Sequence, residues 1–286
     1  MTEASPHSED LPALSVLDAA RTFARDRYLS ALLAPADARD DLLVLAAYLG
    51  EIQRIPLAVR EAIAGEIRLQ WWRDALAAEG ASGHPVADAI RALRDRRGLD
   101  PALLMAPIEG YGRELYEDGV ADTRELAAYV EETEGAAIRL ALAILGSSGR
   151  PAAPLSGEAE VARALALTRL ALTLPQHLAH GRLPVPAAWV SRAGDPRGCE
   201  AEAASAAARA LMDELGHAAE AALARFKAKA GRIEVRALPA VLPAALVVPA
   251  LSAALRPGRD VLGSVAEIAP LSRVWKLWFA HWRGRI

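Results

Sequence analysis

The sequence predicts an all-α protein, a single-domain helical bundle. Ala and Leu dominate a chain that is 53% hydrophobic, and both are strong helix formers. Long windows repeat apolar residues at helical spacing, with Gly or Pro standing at their ends. No stretch alternates apolar and polar residues with the β-branched bias of strands.

The elements follow in order. Residues 1–17 form a polar, acidic leader without the basic region and apolar run of a signal peptide, and are expected to be disordered. Residues 18–33 make the first helix, stopped before Pro35. Residues 40–53 make the second, with Asp37, Asp40 and Asp41 placed to cap it and to meet the positive end of its dipole. Helices follow over 63–78, 85–96 and 101–116. Asp122 and Thr123 cap a helix over 124–145, which ends at Gly146. A Gly/Ser/Pro-rich link covers 147–157, and Gly146-Ser-Ser-Gly149 lacks the Lys-Ser/Thr ending of a phosphate loop, so it reads as a turn. Another helix spans 158–174, residues 184–198 read as loop, and an Ala-rich helix covers 200–230. Residues 237–255 carry no charge and approach membrane-spanning length, but Pro239, Pro243 and Pro249 make a buried, kinked helix the better account. A last helix spans 270–282. Nothing repeats at a fixed period, so the residues from 18 to 286 read as one domain.

Composition narrows function. A net charge of −3 gives no basic excess for nucleic acid as the main partner. One cysteine, Cys199, excludes a disulfide framework and argues against a cysteine-based zinc site. It fits a reducing, cytoplasmic compartment, and its loop context gives it no nucleophile role.

One segment carries the most information: Leu167-Thr-Arg-Leu-Ala-Leu-Thr-Leu-Pro-Gln-His-Leu-Ala-His-Gly-Arg-Leu-Pro-Val-Pro186. It resembles the second signature of the squalene/phytoene synthase family, with its acidic residues replaced by Thr173, Gln176 and His177. The helix around Leu42-Leu-Val-Leu-Ala-Ala-Tyr48 is similar to the one that carries the family's first aspartate motif. Its acidic positions fall on Gln53, Arg54 and Leu57. Gly65-Glu-Ile-Arg-Leu-Gln-Trp-Trp-Arg-Asp-Ala-Leu76 resembles a branch that includes a mitochondrial assembly factor for respiratory complex I, as does residues 268–278. Tyr129 and Gly135 take the places of a tyrosine and a small residue in the family's middle helix.

The resemblance implies an isoprenoid (trans-prenyl) synthase bundle with a central cavity. It also implies two carboxylate motifs holding magnesium and a prenyl diphosphate, yet neither motif supplies a carboxylate here. Hard magnesium needs carboxylate oxygens to neutralise a leaving diphosphate. Two functions therefore stand open. One is a catalytically silent relative, without cofactor, that binds an isoprenoid or lipid or serves respiratory-complex assembly at a membrane. The other is an active head-to-head prenyltransferase using Mg2+. His177 and His180 form an i, i+3 pair, which is more often structural than metal-binding. No metal site is expected.

Arginine can hold phosphate oxygens without a metal. Arg54, Arg68, Arg73, Arg139 and Arg182, with Tyr129, lie in or beside the implied cavity segments and are the ligand candidates. The alternative is pairing with Glu51, Glu66, Asp74 and Glu134. The last helix sets Leu271, Val274, Trp275, Trp278 and Trp282 on one face, with Arg273, Lys276, Arg283 and Arg285 around it. Trp275, Trp278, Trp282, Arg283 and Arg285 thus read as a membrane or partner contact, peripheral on the inner face of the cytoplasmic membrane. Docking of the same face on the core is the other account.

Overall fold

Helix formation starts at Ser15, whose hydroxyl accepts the Asp18 amide at 3.2 Å and caps α1, Val16–Phe23. This computed structural model describes residues 15–117, 120–146, 155–263 and 268–286. The expected leader lies outside the described residues up to residue 14, and Val16 and Leu17 already belong to α1. The expected turn at 147–149 also lies outside them.

Regular structure among the described residues is helical throughout. After α1 come α2 (Arg25–Leu32), α3 (Ala36–Gln53), α4 (Ile55–Ala58), α5 (Ala62–Ala77), α6 (Pro85–Arg97) and α7 (Pro101–Gly112). A continuous rod follows, made of α8 (Thr123–Val130), one π turn (Glu131–Gly135) and α9 (Ala136–Leu145). Then come α10 (Glu158–Ala179), α11 (Ala187–Ala193), α12 (Ala201–Ala230), α13 (Val247–Ala254) and α14 (Pro270–Arg283). The long α10 and α12 pack along each other, α1 and α2 lie on α3, and the core between them is Ala- and Leu-rich around fully buried Tyr48, Tyr129 and Phe226.

Several expectations need correction. The single helix expected over 18–33 is two, because Ala24 leaves the helix at φ −139°, ψ 48°. No Gly or Pro marks the break, and its cause is tertiary. Phe23 is pressed against Gly50 of α3, where a Cβ would lie 2.8 Å from Phe23 Cβ. Gln53 then donates its side-chain amide to the Phe23 carbonyl at 2.5 Å, so this acceptor at the end of α1 is satisfied.

The acidic cluster lies within α3 and gives it no cap bond, although Asp37 stands in the first turn at the positive end of the dipole. Pro35 holds the cap position, while Asp41 pairs with Arg96 and Arg97 and Asp37 pairs with Arg236. These acids tie the start of α3 to α6 and to the chain after α12. Pro175 does not end α10, which runs on to Ala179. Burial of Leu174 and His177 outweighs the one main-chain bond that proline removes. Residues 184–198 include α11, where Trp189 is buried behind Pro186. Residues 237–255 are buried as expected, but as two 3-10 turns and then α13 rather than one kinked helix. The helix expected to reach residue 116 ends at Gly112 and continues as a 3-10 turn.

Candidate functional site

The break at Ala24 opens a cavity of about 480 Å³ between the α1–α2 junction, the end of α3, α10, α13 and α14. Gln53, Arg54 and Leu57 line it from α3 and α4, and Thr173 lines it from α10. The two degenerate motifs therefore face one space. Its apolar wall includes Phe23, Leu165, Leu172, Leu246 and Val247. Its charged lining is five arginines, Arg25, Arg27, Arg54, Arg169 and Arg273, against Asp26 and Glu134.

Most of these charges are committed. Arg27 pairs with Glu134 at 2.5 Å, and Arg273 of α14 pairs with Asp26 of α2. Arg54 bonds Glu51 through Nε at 2.9 Å and Nη2 at 2.6 Å, and its guanidinium lies 4.4 Å above the Phe23 ring. Arg25 is exposed at the first turn of α2 and has no ion pair among the described residues. Uncapped amides and a free guanidinium at the mouth make that end of the cavity attractive to an anion.

Beneath the cavity lies a buried polar cluster. Arg169 ion-pairs with the fully buried Glu114, also donating to Oε2 at 3.1 Å. It donates to the Tyr129 hydroxyl and to the Gln53 carbonyl, both at 3.0 Å, and sits 4.5 Å over the Tyr111 ring. The Tyr129 hydroxyl donates to Glu114 at 2.7 Å. His177 Nε2 lies 3.2 Å from Glu114 Oε2, off the line of a good hydrogen bond. Burial pushes the Glu114 carboxyl up, but the Arg169 charge and His177 more than reverse this and bring it down to about 2. Burial also raises Tyr111 and Tyr129, so both remain neutral phenols.

This donor set does not fit magnesium, which asks for several carboxylate oxygens. The Gln53 amide is spent on Phe23, and the Thr173 hydroxyl donates to the Arg169 carbonyl at 2.9 Å. Leu57 is apolar, and His177 is buried against Glu114. Asp26 and Glu134 are neutralised by arginine. Among the described residues no group of three or more His, Cys, Asp or Glu converges as a metal shell.

The remaining sequence candidates lie elsewhere. Arg73 sits in a surface cleft with Glu109 at 2.7 Å and Glu66 at 3.8 Å. Arg68 is exposed on α5. Arg139 pairs with Glu131 and with Glu158 at 3.4 Å. Arg182 is buried and donates to the carbonyls of Pro56, Val59 and Arg60, bracing the chain after α4. His180 contacts the Val59 carbonyl, so it and His177 serve different partners. Gln176 and Tyr129 are outside the cavity lining. On α14, Leu277 and Ala280 dock on the body while Trp275, Trp278 and Trp282 face outward. Sequence reasoning missed Glu114, Arg27 and Arg169. Arg169 carried one signal: between Ala164 and Ala179 it is the single Asp, Glu, Lys or Arg of a largely apolar stretch.

A profile of the squalene/phytoene synthase family matches residues 20–275. The NADH dehydrogenase (ubiquinone) complex I assembly factor 6 of Bos taurus is 30% identical over 122 residues, 42% of this chain and 37% of that protein. Its counterpart from Homo sapiens is 28% identical over 122 residues, with the same coverage. The match thus spans little more than a third of the length of these relatives. The crystal structure of squalene synthase HpnC from Alicyclobacillus acidocaldarius superposes with a TM-score of 0.51 at 16% identity, covering 93% of this chain and 91% of that one. It shares the all-α fold.

Proposed function

We propose that this chain, which belongs to the squalene/phytoene synthase family, binds a phosphate-headed isoprenoid or lipid without magnesium. On this account it works as an assembly or scaffolding protein at a membrane surface rather than as a prenyl-coupling enzyme.

One observation carries the proposal. A guanidinium, that of Arg169, joins the two motif-bearing helices, and the side chains of Gln53, Arg54 and Thr173 are committed to protein partners. Ionising a diphosphate needs its charge neutralised at the leaving oxygens. Fixed arginines can bind such a head, while a set already paired with Glu51, Glu114, Glu134 and Asp26 has little charge left to stabilise departure. The apolar wall of Leu165, Leu172 and Val247 suits a hydrocarbon tail. The respiratory-complex role rests on the likeness to the complex I assembly factors.

Titration of the purified chain with farnesyl diphosphate in excess chelator tests this. Saturable binding is expected, weakened about tenfold by Arg25→Gln or Arg54→Gln, the value of one hydrogen bond to a charged group. Binding that appears only on adding magnesium would overturn it.

A further inference from the structure

Helix α14 meets the body of the protein with Leu277 and Ala280, and turns an aromatic row the other way. Trp275 is 62% exposed and Trp282 69%, and the Trp278 and Trp282 rings lie 3° from parallel. Leu271 and Val274 extend the row. Exposing so much contiguous apolar surface costs solubility unless something covers it.

Beside the row lies a cleft of about 840 Å³. Four cations line it: Arg232 from the chain after α12, Lys276 and Arg283 from α14, and Arg285 beyond it. No Asp or Glu lines the cleft, and none of the four has an acidic partner among the described residues. The Arg283 guanidinium is held 4.1 Å over the Phe279 ring. The Gly284 carbonyl accepts from Ile233 N at 3.2 Å, which fixes the strand of chain bearing Arg232 against the end of the helix. The cleft is therefore locally positive in a chain whose net charge is −3.

We infer that this face seats the protein on an anionic phospholipid bilayer, headgroup phosphates in the cationic cleft and indoles at the headgroup boundary. Charge complementarity selects the occupant: four cations without an Asp or Glu partner among the described residues match a surface of phosphates. The continuous row of indoles, beside Lys276 and Arg283, matches a helix lying in the interface plane. α14 is about 21 Å long at the helical rise. No described helix is long and apolar enough to cross a membrane. The inference rests on the membrane reading above and adds the lipid class and the face. The same helix also walls the cavity, because Arg273 lines it and pairs with Asp26.

Vesicle co-sedimentation of the full chain tests it, with phosphatidylcholine alone and with phosphatidylglycerol added. Binding is expected only to the anionic vesicles and to weaken with salt. The triple variant Lys276→Gln, Arg283→Gln, Arg285→Gln should lower partitioning roughly 100-fold, about fivefold per cation. Trp275→Ala with Trp282→Ala should lower it while leaving the salt dependence in place. A matching circular dichroism melt for each variant ensures that folding is not the cause. Equal binding to neutral vesicles would overturn the headgroup assignment and leave the membrane reading standing. Binding to neither vesicle would overturn both and give the face to a protein partner.

Discussion

The guanidinium of Arg169 donates to the main-chain carbonyl of Gln53 at 3.0 Å. It thereby joins α10 to the end of α3, the two helices whose motif positions line one cavity. In this chain a fixed organic cation, paired with Glu114, holds those helices together.

Arg169→Met should be strongly destabilising. It leaves Glu114 buried and unpaired, which costs about 3–5 kcal/mol when one partner of a buried pair is removed. Adding Glu114→Leu should restore much of the loss, because an apolar pair of similar volume avoids the burial of charge. Urea denaturation of both variants measures this. A single variant as stable as the wild type would show that the pair does not hold the helices.

Acid should expose the same pair. The Glu114 carboxyl stands at about 2 in the folded chain against a reference of 4.5. A depressed folded value gives stability that is present above 4.5 and is lost as pH falls toward 2. In that window the unfolded chain binds one more proton, so stability changes by about 1.4 kcal/mol per pH unit from this group. The whole contribution is on the order of 3 kcal/mol. Stability curves between these limits should be less steep in Glu114→Gln by that amount. Parallel curves would refute the assignment.

Gly50 should resist substitution. A Cβ there would stand 2.8 Å from Phe23 Cβ and 3.1 Å from the Phe23 carbonyl carbon, and the second is backbone that cannot swing aside. Gly50→Ala should cost about 1–3 kcal/mol as overpacking. It should also weaken cavity binding, because Phe23 is a wall. Unchanged denaturation and unchanged farnesyl diphosphate binding would refute this.

Much of the fold was legible because it is written locally. Gly98 in the left-handed region ends α6, Asp122 accepts the amides of Arg124 and Glu125, and Ala/Leu runs fill the helices between. The break at Ala24 was not legible, since it follows from contact with Gly50 and Gln53 rather than from any local residue. The candidate site was half legible. Matching motif register placed Gln53, Arg54, Leu57 and Thr173, and these share the cavity. Pairing of Arg54 with Glu51 follows from the i, i+3 spacing, whereas the near partner of Arg73 is Glu109, 36 residues away. Arg169 with Glu114, and Arg27 with Glu134, are separated by 55 and 107 residues, and no single-sequence rule joins residues so far apart.

The most direct test of the central claim is turnover. Purified chain is incubated with farnesyl or geranylgeranyl diphosphate, magnesium and NADPH, and released diphosphate is measured. No release above heat-killed protein is expected, alongside saturable substrate binding that survives a chelator. Release that the chelator abolishes would contradict the claim, because the motif residues would then be supporting metal-dependent chemistry after all.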